Sequence, residues 1–150
     1  MLNNKTILIT GGTGSFGKKM TQIILEHYKP AKLIIFSRDE LKQFEMSQVW
    51  NEKTYPCIRY ILGDVRDKER LYRAFHEVDY VIHAAALKHV PIVEHNPFEA
   101  IKTNVVGSQN VIDACLHNDV EKAICIGTDK AVSPLNTYGA TKLLMEKFQE

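Results

Sequence analysis

Tyr138 and Lys142 stand four residues apart in TYGATK (137–142), a spacing that puts both side chains on one face of a helix. An ammonium beside a phenol draws the phenol pKa down from about 10 toward neutrality. A tyrosinate so formed can take a proton from a hydroxyl group. Just upstream, Thr128, Asp129 and Lys130 follow one another, setting a hydroxyl, an acid and an amine side by side. Both arrangements also occur as plain surface features, one on exposed helices and the other at strand-end turns. Whether they do chemistry depends on the elements that hold them.

Those elements alternate along the chain. Apolar runs at 5–10, 32–37, 57–64, 79–86 and 122–128 read as strands. Between them, 15–28, 39–50, 67–78 and 96–118 carry helical patterns, and 137–150 begins another. Phe16, Met20, Ile23, Ile24 and Tyr28 form the apolar stripe of the first helix, and Pro30 marks its stop. Asn96, Pro97 and Glu99 open the long fourth helix as cap, first residue and capping-box partner. Strands apolar on both faces, alternating with helices, predict an α/β fold: a doubly wound parallel sheet in three αβα layers. Such folds in their six-stranded form have one strand more than the five counted here. The chain also stops inside a predicted helix, at Glu150. The expectation is one nucleotide-binding domain, 1–150, from the N-terminal part of a longer protein.

The first strand runs into TGGTGSFG, in which Gly11, Gly14 and Gly17 are spaced GxxGxxG and open a helix. Glycines there permit a tight turn, backbone approach to a pyrophosphate and close helix–strand packing. Unpaired N–H groups at the helix start suit phosphate oxygens. This Rossmann-type context, strand before and helix after, makes Gly11, Thr13, Gly14, Ser15, Phe16 and Gly17 the expected dinucleotide loop. About twenty residues on, an NAD site carries Asp or Glu for the ribose 2′-hydroxyl. Here Ser37 and Arg38 occupy that place, and both can hold a 2′-phosphate. NADP is therefore expected over NAD; Asp39, the carboxylate that follows them, reads as a helix N-cap. Asp64 and Val65 end the third strand, where Asp64 either meets the adenine amino group or caps a turn. Ala84, Ala85 and Ala86 end the fourth, small enough for a dinucleotide to lie on the backbone or simply for tight packing. With nicotinamide bound in such a fold, Tyr138 can deprotonate a sugar hydroxyl as hydride leaves the same carbon.

Composition sets limits on other readings. Hydrophobic residues at 45% and charged ones at 25% are ordinary for a soluble globular domain. A net charge of +1 makes no electrostatic case for nucleic acid or an anionic membrane. No apolar run reaches spanning length, and the N-terminus reads as a strand, so a cytoplasmic protein is expected. Cys57, Cys115 and Cys125 are far apart and odd in number, which predicts reduced, mostly buried thiols. Neither they nor the six histidines have metal-site spacing, and no metal is predicted.

TGGTGSFG, HAAA, Asn104 and YGATK together resemble the extended short-chain dehydrogenase/reductase superfamily over essentially the whole chain. FSRDELKQ, AAALKHVP, NPFEAIKTNV and TDKAVSPLNTYGATK are similar to the inverting UDP-N-acetylglucosamine 4,6-dehydratases of bacterial surface-sugar biosynthesis. The resemblance implies that Tyr138 deprotonates the sugar 4-hydroxyl and that hydride passes from C4 to NADP and returns to C6. It implies Lys130 as the base at C5, Asp129 as the acid at the departing 6-hydroxyl, and Thr128 as a hydrogen-bond partner of the 4-oxygen. Retaining members carry Asp-Glu in this triplet, whereas this chain has Asp-Lys. Burial moves Lys130 down and Asp129 up as both roles need, although a direct ion pair would oppose both shifts. The resemblance further implies that Lys142 holds the nicotinamide ribose, Lys88 reaches phosphates and Asn104 supports the active-site helix. It also implies a homo-oligomer, with helix 96–118 as the interface. A UDP-sugar 4-epimerase would use Tyr138 and Lys142 without the 129–130 pair. A nucleotide-binding module without turnover is the other alternative.

Overall fold

The computed structural model describes residues 2–84 and 102–126. The elements run β1 (Thr6–Thr10), α1 (Ser15–His27), β2 (Lys32–Ser37), α2 (Glu40–Val49), β3 (Ile58–Leu62), α3 (Lys68–Ala74) and β4 (Tyr80–His83). A π-helical stretch, Lys102–Val106, leads into α4 (Gly107–His117), and β5 (Lys122–Cys125) follows. The five strands pair in parallel in the order β3-β2-β1-β4-β5. The doubly wound architecture read from strand–helix alternation is the one observed.

The register sorts the side chains into two cores. Leu8 lies beside Ile34 and Val81, and these face Leu71, Ala74 and Phe75 from α3 and Val111, Ala114 and Cys115 from α4. Ile7, Ile9, Leu33, Ile35 and Ile82 point the other way, onto Ile24 of α1 and Met46 of α2. Each such side chain stabilises the fold by about 1.5–3 kcal/mol on burial. Helices α1 and α2 thus cover one face of the sheet, and α3 and α4 the other.

Several boundaries depart from the sequence reading. Helix α1 ends one residue early, because Tyr28 is already extended. Helix α3 stops at Ala74 rather than at 78: Glu77 takes a left-handed φ of 61°, and the turn drives Phe75 and Val78 into the core. The third strand is shorter at both ends, since Asp64 leaves the ladder to form a turn whose carbonyl accepts from Asp67 N at 2.9 Å. The fourth predicted helix is irregular over its first described turn, and its predicted start at Asn96, Pro97 and Glu99 lies outside the described residues. Strands β3 and β5, at the two edges of the sheet among the described residues, depart from two-sided burial, with Leu62 and Ile124 exposed. Of the three cysteines only Cys115 is buried, with its thiol pushed up to about 12 by desolvation; Cys57 and Cys125 are half-buried. Their positions at the ends of edge strands, rather than under a helix, explain the difference.

Thr21 is fully buried on α1, and its hydroxyl has no hydrogen-bond partner among the described residues. A valine has the same shape without the orphaned group. Thr21→Val is expected to stabilise the protein by about 1 kcal/mol, read as a higher urea midpoint at unchanged slope. A lower midpoint would show that the hydroxyl has a partner.

Candidate functional site

The carboxyl ends of β1 to β4 lie along one edge of the sheet and carry most of the described residues singled out by sequence. Beyond β1, Gly11 adopts a φ of 63°, a conformation that L side chains rarely take. The loop is tied back by Gly14 N donating to Gly11 O at 3.1 Å and by Gly12 N donating to Phe36 O at 3.2 Å. Gly17 sits so close beneath it that a Cβ would fall 2.3 Å from the Gly12 carbonyl oxygen. Helix α1 therefore starts hard against the loop. Its N-cap is Gly14, no side chain caps it, and no acidic residue stands in its first turn. The first N–H groups of such a helix attract an anion. Thr13 is buried, Ser15 is exposed and Phe16 packs partly into the second core. The loop fits a dinucleotide pyrophosphate in two respects: Gly17 lets the helix start press against the loop backbone, and that helix start is uncapped.

At the end of β2, Ser37 is buried and its hydroxyl oxygen accepts from Gln43 Nε2 at 3.0 Å. The same amide donates to Ile61 O at 2.9 Å, fastening β2 to β3. Arg38 is half-exposed, and its Nη1 lies 3.7 Å from Asp64 Oδ2. Asp39 accepts from Lys42 N at 3.0 Å and caps α2, as its place before that helix predicts. Asp64 accepts from Arg66 N at 2.9 Å, from Arg66 Nε at 3.1 and 3.0 Å, and from Arg66 Nη2 at 2.8 Å. Asp64 thus shapes a turn, and two guanidiniums crowd its carboxylate. Burial raises its pKa, but the hydrogen bonds and charge of Arg66, helped by Arg38, outweigh that and hold it below the usual carboxylate range. Val65 is buried, and its carbonyl accepts from Asn110 Nδ2 of α4 at 3.0 Å.

At the end of β4, Ala84 is buried and its N–H donates to Thr10 O at 3.1 Å and Thr10 Oγ1 at 3.0 Å. Asn104 is fully buried within the π-helical stretch. The predicted residues Ala85, Ala86, Lys88, Thr128, Asp129, Lys130, Tyr138 and Lys142 lie outside the described residues. Four residues that matter to this edge escaped the sequence reading: Gly12, Gln43, Arg66 and His83. His83 had a signal, as the only polar residue in the strand segment VIH; Gln43 had none, being one polar residue among many on α2.

The fold is of the Rossmann type, a doubly wound parallel sheet between two layers of helices. The family described as "Polysaccharide biosynthesis protein" matches residues 7–150, and the chain belongs to it. The chain is 65% identical over 147 residues to a UDP-N-acetylglucosamine 4,6-dehydratase (inverting) of Campylobacter jejuni, covering 98% of this chain and 43% of that one. It is 47% identical over 150 residues to a UDP-glucose 4-epimerase of Rickettsia felis, with coverage of 98% and 43%. Among solved structures, Pen from Bacillus thuringiensis superposes with a TM-score of 0.93 at 42% identity, covering 99% of this chain and 45% of that one. The fold is shared too by a dTDP-glucose 4,6-dehydratase from Streptomyces venezuelae solved with NAD, at a TM-score of 0.83 and 24% identity, with coverage of 95% and 49%. The chain thus spans less than half the length of these relatives. No helix among the described residues is long and apolar enough to cross a membrane.

Asp64 contributes stability only while charged, because its pKa is lower folded than unfolded. That contribution is present above the ordinary carboxylate pKa of about 3.9 and is lost as pH falls through the folded-state value. With its side chain partly exposed, Asp64→Asn is expected to cost about 1 kcal/mol at pH 7. The gap should close in acid, where the native residue is itself neutral. Urea midpoints of both proteins, taken at neutral pH and at successive acid pH values, check this; a gap that persists unchanged would refute it.

Proposed function

We propose that this chain is the nucleotide-binding part of a C5-inverting UDP-N-acetylglucosamine 4,6-dehydratase, a lyase that uses NADP and serves bacterial surface glycan biosynthesis in the cytoplasm. The observation that carries the reading is 65% identity, over 98% of the chain, to the Campylobacter jejuni enzyme of that name. The residues fit the cofactor. Gly11 to Gly17 would hold the pyrophosphate, Asp64 and Val65 would flank the adenine, and Ala84 to Ala86 would floor the crevice. Exposed Arg38 would meet the 2′-phosphate; among the described residues its ion pair, to Asp64, is long at 3.7 Å, and the adjacent Asp39 is occupied in capping α2. Bound NADP would supply reversible hydride acceptance at the nicotinamide.

The remaining chemistry belongs to side chains of this chain. Tyr138, with its phenol acidified by Lys142, takes the proton of the 4-hydroxyl, and Thr128 hydrogen-bonds the same oxygen. The 4-ketone acidifies the C5 hydrogen, which uncharged Lys130 removes. Asp129 in its protonated form gives its proton to the departing 6-hydroxyl, which leaves as water. Lys142 holds the nicotinamide ribose, Lys88 the phosphates, and Asn104 the helix behind them. Association into a homo-oligomer would use the helix that ends at His117, on which Val106 and Leu116 are exposed. The 4-epimerase reading draws on the Rickettsia relative and has no task for Lys130.

Incubation with UDP-N-acetylglucosamine in deuterated water is expected to give a product lighter by one water, inverted at C5 and carrying deuterium there. Lys130→Ala should slow water loss by about a hundredfold or more while leaving NADP binding intact. A variant that dehydrates as fast as the native protein would overturn the role of Lys130, and a C4 epimer as product would favour the alternative. Independently, Arg38→Ala should weaken NADP binding about tenfold and leave NAD binding unchanged, since a charge-assisted hydrogen bond contributes about 1.5–3 kcal/mol. Equal losses for both cofactors in fluorescence titrations would remove Arg38 from the 2′-phosphate site.

A further inference from the structure

The order β3-β2-β1-β4-β5 reverses direction between β1 and β4, and ligands of doubly wound sheets lie above the carboxyl ends at that reversal. The floor of that place is a buried polar chain. Thr10 and His83 are register partners that end β1 and β4. Their side chains meet, with Thr10 Oγ1 2.7 Å from His83 Nδ1. On its other side the ring reaches α4, with Nε2 3.3 Å from Ser108 Oγ. Ser108 Oγ in turn donates to the Asn104 carbonyl at 2.5 Å, inside the π-helical stretch. Thr10, Ser108 and Asn104 are fully buried and His83 is 1% exposed.

The helix side of this chain fixes one hydrogen. A carbonyl only accepts, so the single hydroxyl hydrogen of Ser108 is committed to Asn104. Ser108 can then only accept from His83, and Nε2 must carry a hydrogen. Thr10 Oγ1 also accepts from Ala84 N at 3.0 Å, and its second lone pair or its hydrogen serves Nδ1. We propose that His83, with its hydrogen on Nε2, is a positioning residue: it ties the strand that launches the glycine loop to the bulged turn at Asn104, so that the two walls of the crevice keep one spacing. The structural coupling stands on the hydrogen bonds alone; its consequence for nucleotide binding rests on the function proposed above.

Three variants separate the coupling from mere core filling. His83→Phe keeps the ring volume without either nitrogen. Ser108→Ala cuts the link on the helix side alone. His83→Gln restores a donor close to the Nε2 position. Long-range nitrogen–proton NMR of the native protein should show a hydrogen on Nε2 of His83. Amide exchange at residues 104–108 and at Ala84 should speed up about tenfold or more in His83→Phe and Ser108→Ala, and return toward native rates in His83→Gln. In the same samples NADP affinity should fall and recover in parallel. A ring without a hydrogen on Nε2 overturns the assignment. Exchange that is unchanged in Ser108→Ala, or unrescued by His83→Gln, overturns the coupling. If exchange responds as stated but NADP binds none of the proteins, the coupling holds and the nucleotide reading fails.

Discussion

The structure depends on where consecutive crossovers part company. The helix that follows β1 packs on the face carrying Ile7 and Ile9, whereas α4 packs on the opposite face with Leu8 and Val81. Chains leaving adjacent strands β1 and β4 therefore diverge to opposite sides of the sheet. Doubly wound sheets hold their ligands in the gap above such a divergence, here above Thr10 and His83. Everything proposed for this protein is a use of that gap.

Backbone and side chains serve it differently. The loop from Gly11 to Gly17 works through missing atoms: a left-handed φ at Gly11 and a contact at Gly17 that leaves no room for Cβ. What faces the gap from this side is main chain, with α1 uncapped behind it. Around the rest of the edge, each strand end is joined to a neighbour by a buried polar group. Gln43 joins β2 to β3, Asn110 joins the turn after β3 to α4, and His83 joins β1, β4 and α4. Unpaired, any of these groups would cost about 1–3 kcal/mol, which makes each arrangement specific as well as stable. A hydrophobic edge could slide; this one has discrete partners.

The local elements were legible because their signals are local. Period-two and period-3.6 patterns mark β1, β2, α1 and α2 to within a residue or two, and glycine spacing after a strand marks the loop. Misjudged boundaries came from turns with their own hydrogen bonds. Asp64 reads as the end of a strand, but Arg66 draws it into a turn; residues 75–78 read as helix, but core burial of Phe75 and Val78 bends them away. The predicted acid, base and tyrosine, Asp129, Lys130 and Tyr138, are legible as a motif and lie outside the described residues.

By itself, then, the sequence determined the alternation of elements, the glycine loop, the cap at Asp39 and the membership in the polysaccharide biosynthesis protein family. Strand order, and with it the identity of the two strands that border the crevice, was decided only in three dimensions. So were the partners of His83 and Gln43. The reason is separation along the chain: Thr10 and His83 are 73 residues apart, and no pattern within either segment reports on the other. Periodicity tells a residue which face to bury, and only the packed sheet tells it whom it will meet there.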